Sequence, residues 1–214
     1  QRVAVGENVQ SSYGKVISEV PQGSILGPIL FLIYSNDLPV LTSKVQILMY
    51  ADDTSVIASD NNKSALLQTL VESSQQLDSW FDANNLKLNP VKTKFINFHL
   101  NHCKTPQADT SFLPPDFNSV SSTNFLGLVI DDTLSWRQHI SYLLPKLSKA
   151  FYSILTLSQV VDQKVVRQVY LAYFNSLMSY GLMFWGNSVE SSRVFLMQKR
   201  VARVMIGAGF REPY

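Results

Sequence analysis

Cysteine is nearly absent. Cys103 is the one thiol in 214 residues, which excludes an internal disulfide framework and fits a reducing compartment. Histidine is equally scarce, with three in the chain; His99, His102 and Cys103 lie close together, but no fourth ligand stands at zinc-like spacing, so they read as a loop. Charged residues make up 16% of the chain and hydrophobic residues 46%, a balance that describes a globular protein rather than a disordered one. Long apolar runs are missing too. The longest, residues 25–34, is interrupted by Gly27-Pro28 and is about half the roughly 20 residues a bilayer requires. It is expected to be a buried helix, and no membrane partner is expected. No cleavable signal is visible, and the chain opens at Gln1 without a methionine, which suggests a fragment.

The formal net charge of +2 conceals an asymmetry. Residues 1–133 hold 8 basic and 13 acidic side chains, a net of −5, and residues 134–214 hold 10 basic and 3 acidic, a net of +7. An acidic part suited to metals is joined to a basic part suited to phosphates.

What is present centres on Tyr50-Ala51-Asp52-Asp53. Upstream, residues 45–50 alternate with period two; downstream, residues 54–58 are rich in β-branched side chains. The two runs are predicted to pair as a hairpin with the acids at its tip. Two adjacent carboxylates repel unless a cation neutralises them, and a hard divalent ion is the natural candidate. A polar turn that merely carries Asp-Asp is the plainer reading of the dipeptide taken alone.

Further motifs shift that balance. Tyr50-Ala51-Asp52-Asp53 resembles the tetrapeptide of reverse transcriptases, and residues 20–31, Val-Pro-Gln-Gly-Ser-Ile-Leu-Gly-Pro-Ile-Leu-Phe, are similar to the motif that precedes it in that family. Residues 86–93 and 125–131 follow in the order and approximate spacing of non-LTR, LINE-type retrotransposon polymerases of the jockey kind. The resemblance covers nearly the whole chain. It implies an α+β fold: a partial palm over residues 1–133, an antiparallel sheet with packed helices, followed by an α-helical thumb-like region over 134–214. It also implies an RNA-directed DNA polymerase, working in the nucleus or cytoplasm, with an RNA template, a DNA primer and deoxynucleoside triphosphates as partners and two Mg²⁺ ions as cofactors.

Residue by residue, the resemblance makes Asp52 and Asp53 metal-binding and catalytic, puts Tyr50 beside the primer end, and has Gln22 and Gly23 line the pocket for nucleotide and template base. It puts Lys92 near the triphosphate, where it would neutralise charge or protonate the departing pyrophosphate; the alternative is a solvated lysine at a strand start. Phe125, Leu126 and Gly127 would grip the primer, glycine letting a nucleic-acid backbone approach. Glu19 stands where the family usually has glycine. A third Asp, on an earlier palm strand, is expected to lie upstream of Gln1, together with the fingers. The competing reading is a non-catalytic, nucleic-acid-binding remnant of such a polymerase.

The remaining pattern is structural. Residues 2–20 read as a two-stranded ribbon. Pro28 is placed to open a helix running to about Asp37, and Leu66, Leu67, Leu70, Leu77, Trp80 and Phe81 recur at helical spacing, with Asp60 or Asn61 as candidate caps and Asn84-Asn85 as the break. Residues 92–98 lead into a strand, and residues 101–123 read as a loop or insertion. From Leu134 the pattern is helical: one helix with Leu143, Leu144, Leu147, Phe151, Ile154 and Leu155 on a face, a second from Val165 to about Tyr180, and a third bearing Arg193, Lys199, Arg200 and Arg203 toward one side, a row suited to successive phosphates. Tyr180, Phe184 and Trp185 are expected to be core.

Overall fold

The computed structural model describes residues 4–5, 9–14, 23–99 and 118–207. The chain divides into two compact units, residues 1–88 and 89–214. Both mix helices with small β-ladders. Four two-stranded ladders are present among the described residues, three antiparallel and one parallel, and they do not join into one sheet.

In the first unit a short ladder pairs β1 (Ala4–Val5) with β2 (Val9–Gln10). Helix α1 (Gly27–Tyr34) follows, with Pro28 in its first turn, where the missing N–H is no loss. It ends sooner than expected, and a 3-10 turn over Leu38–Val40 takes its place. No residue of α1 is buried, which corrects the expectation of a buried helix: GPILFLIY is apolar on every side, and a single neighbour cannot cover such a cylinder. The Tyr34 hydroxyl ties it to the Asn84 carbonyl.

Strands β3 (Gln46–Tyr50) and β4 (Asp53–Ile57) form an antiparallel hairpin. Alternation sorts its side chains: Val45 and Ile47 turn inward to join Leu38, Leu77 and Trp80 in a small core. The last two come from α2 (Lys63–Ala83), whose cap is Asn62, accepting from Ser64 N–H at 2.9 Å, rather than Asp60 or Asn61. Asp60 instead accepts from the Asn62 N–H at 2.7 Å. Asn84 and left-handed Asn85 end the helix. Trp80 Nε1 donates to Asp37 Oδ2 at 3.1 Å, pinning α2 to the 3-10 turn.

In the second unit β5 (Lys94–Phe95) pairs in parallel with β6 (Asn118–Ser119), a shorter strand than residues 92–98 predicted; most of the expected 101–123 loop lies outside the described residues. Strands β7 (Ser122–Phe125) and β8 (Leu128–Asp131) form a hairpin. The remainder is helical: α3 (Arg137–Leu157), α4 (Gln163–Val169), a π-helical stretch Tyr170–Asn175, α5 (Ser176–Ser179), α6 (Leu182–Trp185) and α7 (Ser191–Ile206), the last stopped by left-handed Gly207. The predicted 165–180 helix is therefore one helical path widened in its middle turn. Ile140, Leu143, Leu147, Ala150 and Ile154 of α3 meet Val166, Phe174, Met178, Trp185, Val194 and Val201 in a closed core, to which β8 adds Leu128. The second compact unit thus takes in the 122–131 hairpin as well as the helices. Among the described residues no helix is long and apolar enough to cross a membrane.

Candidate functional site

The β3–β4 register places Tyr50 directly opposite Asp53, leaving Ala51 and Asp52 as a two-residue turn. Ala51 has φ +53°, a left-handed conformation that costs a residue with a Cβ about 1–2 kcal/mol. Tight pairing on both sides imposes it, because Ile47 opposite Val56 and Met49 opposite Thr54 fix the register. The consequence is that Asp52 and Asp53 project at the hairpin end, both exposed, with Tyr50 beside them at 67% exposure. No cation pairs with either carboxylate among the described residues, nor do three or more His, Cys, Asp or Glu side chains gather there as a metal cluster. Two adjacent carboxylates of one turn suit a hard divalent ion but supply only part of its oxygen shell.

Gly23 also lies in this unit, exposed and at φ +81°, with open space where a Cβ would stand. The turn after it is fastened by Ser24 Oγ, which accepts from the Gly27 N–H at 3.1 Å. Gln22 lies outside the described residues.

The other predicted residues belong to the second unit. Lys92 is exposed on a turn held by Asn89, whose Oδ1 accepts from the Val91 and Lys92 N–H groups at 3.1 and 3.3 Å. Phe125 closes β7 opposite Leu128, and Leu126 and Gly127 form the turn at φ +46° and +82°. Positive φ at both positions is the pattern that matches strand twist in a two-residue hairpin. The Tyr180 hydroxyl donates to the Leu126 carbonyl, and a Cβ on Gly127 would come within 3.3 Å of the Tyr180 ring. On α7, Arg193, Lys199, Arg200 and Arg203 span about a third of the helix circumference at about 100° per residue. Arg193 reaches Glu190 at 3.3 Å and Lys199 stands 4.7 Å from the Phe195 ring centre; Arg200 is exposed.

Three features were missed in the sequence. Trp185 is core, as expected, but Tyr180 and Phe184 are 55% and 57% exposed, because the tight turn at left-handed Gly181 starts a helix of one turn that can bury only one of its aromatics. Asp131 is buried, and its carboxylate accepts from Thr133 N–H and Oγ1 at 3.2 and 3.0 Å and from Ser135 N–H and Oγ at 2.7 and 2.9 Å. Burial alone would raise its carboxyl, but the bonds from Ser135 and Thr133 outweigh it and hold it below the usual Asp range. The Asp-x-Thr-x-Ser spacing ahead of a helix was the available signal. His139 is buried as well; its Nδ1 accepts from the Val129 N–H at 3.3 Å, so the proton sits on Nε2, which has no hydrogen-bond partner among the described residues. Desolvation, aided by the charge of Lys146, holds this imidazole below its ordinary value.

With this geometry in place, comparison with known proteins assigns the class. The sequence profile of reverse transcriptase (RNA-dependent DNA polymerase) matches residues 5–130, more than half of the 214 residues. The chain belongs to the reverse transcriptase family. Its relatives are retrotransposon polymerases of the jockey kind, at modest identity. It is 26% identical over 198 residues to a probable RNA-directed DNA polymerase from transposon BS of Drosophila melanogaster, covering 87% of this chain and 22% of that protein. It is 25% identical to the X-element counterpart, covering 92% and 22%, and 24% identical to the RNA-directed DNA polymerase from mobile element jockey, covering 94% and 23%, both from the same fly. The chain thus spans less than a quarter of the length of these curated relatives. No solved structure matches it.

Proposed function

We propose that these residues form part of an RNA-directed DNA polymerase that copies retrotransposon RNA into DNA by nucleotidyl transfer. The observation that carries this reading is the pair Asp52 and Asp53, exposed at a hairpin end without a cation partner among the described residues, in a chain of reverse transcriptase family. Both side chains offer the hard oxygen donors that Mg²⁺ takes. Two bound Mg²⁺ ions would activate the primer 3′-hydroxyl and stabilise the leaving phosphate. The chain's own part is positional: Tyr50 orients the primer end, Gln22 and Gly23 shape the nucleotide pocket, Lys92 neutralises the triphosphate, and the turn Phe125-Leu126-Gly127 holds the primer. In this reading residues 1–133 are a partial palm and 134–214 a thumb-like region whose α7 arginines meet phosphates.

A polypeptide confined to these 214 residues is expected not to polymerise, since two carboxylates of one turn cannot by themselves hold two ions in register, and an error of about 1 Å already costs around a hundredfold. The test is primer extension on an RNA template with Mg²⁺, using this polypeptide, a longer one that supplies an upstream Asp, and the longer one carrying Asp52→Asn. Activity should appear only in the second. Synthesis by the 214-residue polypeptide refutes the incompleteness, and a longer protein indifferent to Asp52→Asn removes Asp52 from catalysis.

The second reading, a nucleic-acid-binding remnant without catalysis, is favoured by the net charge of +7 over residues 134–214. Neutralising Arg200 and Arg203 together should flatten the slope of log K against log salt by up to about two units, at roughly 0.7–0.9 per phosphate. An unchanged slope makes both a solvated face.

A further inference from the structure

The second unit contains a pile of rings that begins in the core and ends in solvent. Buried Trp185 lies 6.1 Å from His139, His139 meets Trp136 edge-on at 6.1 Å, and Trp136 stacks on Phe184 at 6.3 Å with 27° between the planes. Phe184 is the last ring, 57% exposed. The pile is anchored: Trp185 Nε1 donates to the Tyr180 carbonyl at 3.0 Å and His139 holds the Val129 N–H. Phe184 covers one face against Trp136 and still leaves more than half of its surface in solvent. Next to Trp136 in sequence stands Arg137, and Glu190 forms ion pairs with both Arg137, at 3.5 Å, and Arg193, at 3.3 Å. One carboxylate between two guanidiniums leaves a net positive charge on the segment that follows Trp136, the ring on which Phe184 stacks.

We infer that Phe184 is a stacking platform for an unpaired base of a nucleic-acid strand, with Arg137 and Arg193, oriented by Glu190, receiving the adjoining phosphates. The inference rests on the reading of residues 134–214 as a nucleic-acid-binding region and adds a contact that the α7 arginines alone do not supply. Its physical content is specific. A base offers a flat π-face that continues the ring pile, and base–aromatic stacking is tolerant of sequence. Phosphate supplies the negative charge that two arginines sharing one Glu190 leave uncompensated. The pile is built before any ligand arrives, so little order is lost on binding. The same Tyr180 whose carbonyl anchors Trp185 also hydrogen-bonds Leu126 through its hydroxyl, which links the pile to the 125–127 turn proposed to hold the primer.

The test uses the full 214-residue chain and a short DNA or RNA strand carrying 2-aminopurine, whose fluorescence falls when it stacks. Wild type should quench the probe on binding. Phe184→Ala should lower affinity about five- to a hundredfold, the range for removing a stacking aromatic, and abolish the quench; Phe184→Tyr should retain both. The double variant Arg137→Gln, Arg193→Gln should weaken binding at low salt yet quench fully at saturation. Near-ultraviolet circular dichroism establishes that each variant is folded, and Phe184→Leu, which keeps apolar bulk against Trp136, replaces the alanine variant should that one unfold. A folded Phe184→Ala or Phe184→Leu protein that binds and quenches like wild type overturns the inference, as does a Phe184 change that alters only self-association in sedimentation, which would make the ledge a protein contact. Binding with a steep salt slope but no Phe184-dependent quench defeats this inference alone, whereas no binding at all defeats the nucleic-acid reading beneath it.

Discussion

Helices α1 and α3 are both rich in apolar residues, yet they end in opposite states. Helix α3 concentrates its apolar side chains on one stripe, and Ile140, Leu147 and Ile154 on that stripe are fully buried. Helix α1 is apolar all round, and Leu32 and Ile33 remain 64% and 69% exposed. Segregation, not apolar content, decides burial here: a striped helix needs one neighbour, and a uniformly apolar one needs neighbours on every side. The units follow their helices. Residues 89–214 close a core around α3, whereas the first unit gathers a smaller one, Leu38, Val45, Ile47, Leu77 and Trp80, and contains both the candidate carboxylates and the exposed apolar helix α1.

The two cores contrast most directly through one tryptophan of each unit. Trp185 is 1% exposed and lies in the larger cluster, so Trp185→Ala should cost about 3–5 kcal/mol of stability. Trp80 is 8% exposed at the margin of the smaller one, with fewer neighbours to collapse or be left unpacked. Trp80→Ala should therefore cost less, although it also strands Asp37. Urea denaturation of both variants decides the ranking, and equal losses would mean that the first core is as closed as the second.

A smaller effect tests whether the second unit's polar joints matter as its packing does. The Asp131 carboxylate fastens the left-handed turn at Leu134 and Trp136 that leads from β8 into α3. Asp131→Asn should cost about 1–3 kcal/mol at neutral pH, since one oxygen acceptor becomes a donor facing Ser135. The pH dependence follows in sign. A carboxyl held low in the fold stabilises above its unfolded pKa, and that contribution disappears as pH falls below about 4. His139 acts in the same direction in a higher window: its folded value is lowered, so below about pH 6.5 the unfolded chain binds a proton that the folded chain refuses. Wild type should lose stability in both windows, and Asp131→Asn should flatten only the lower. A variant with an undiminished loss below pH 4 would show that other carboxylates carry it.

How far the chain could be read from its residues follows the same division between local and tertiary causes. The 46–57 hairpin was legible because alternation before the two acids and β-branching after them agree, although the register draws Asp53 into the second strand and shortens the turn to two residues. The basic α7 and the stripe of α3 were legible from 3.6-residue periodicity. The exposure of α1 was not, because composition reports what a helix prefers and not what surrounds it. Nor was that of Tyr180 and Phe184, which depends on the left-handed Gly181 and on how short α6 is. The Asn62 cap was missed by one residue, since Asp60, Asn61 and Asn62 all have capping chemistry and only the path of the chain chooses. For the candidate site, Asp52 and Asp53 were legible as a hairpin tip, while the strained Ala51 that aims them follows from the register on both sides.

The smallest expected effect is the sharpest test of the contrast, because it predicts almost nothing where composition predicts a great deal. Leu32→Ser and Ile33→Ser each remove a large apolar side chain from a helix, a change that in α3 would open the core and cost several kcal/mol. In α1 both side chains already stand mostly in water, so little transfer free energy is lost, and serine's weaker helix propensity contributes only a few tenths of a kcal/mol. Each variant should stay within about 0.5 kcal/mol of wild type in urea denaturation, and removing exposed apolar area should lessen self-association at high concentration. The matched change Leu147→Ser in α3 serves as the contrasting measurement and should be severe. If Leu32→Ser instead destabilises the protein by 2 kcal/mol or more, as about the cost of losing a buried leucine, then α1 is enclosed in solution, and the first unit is not the open partner of the second.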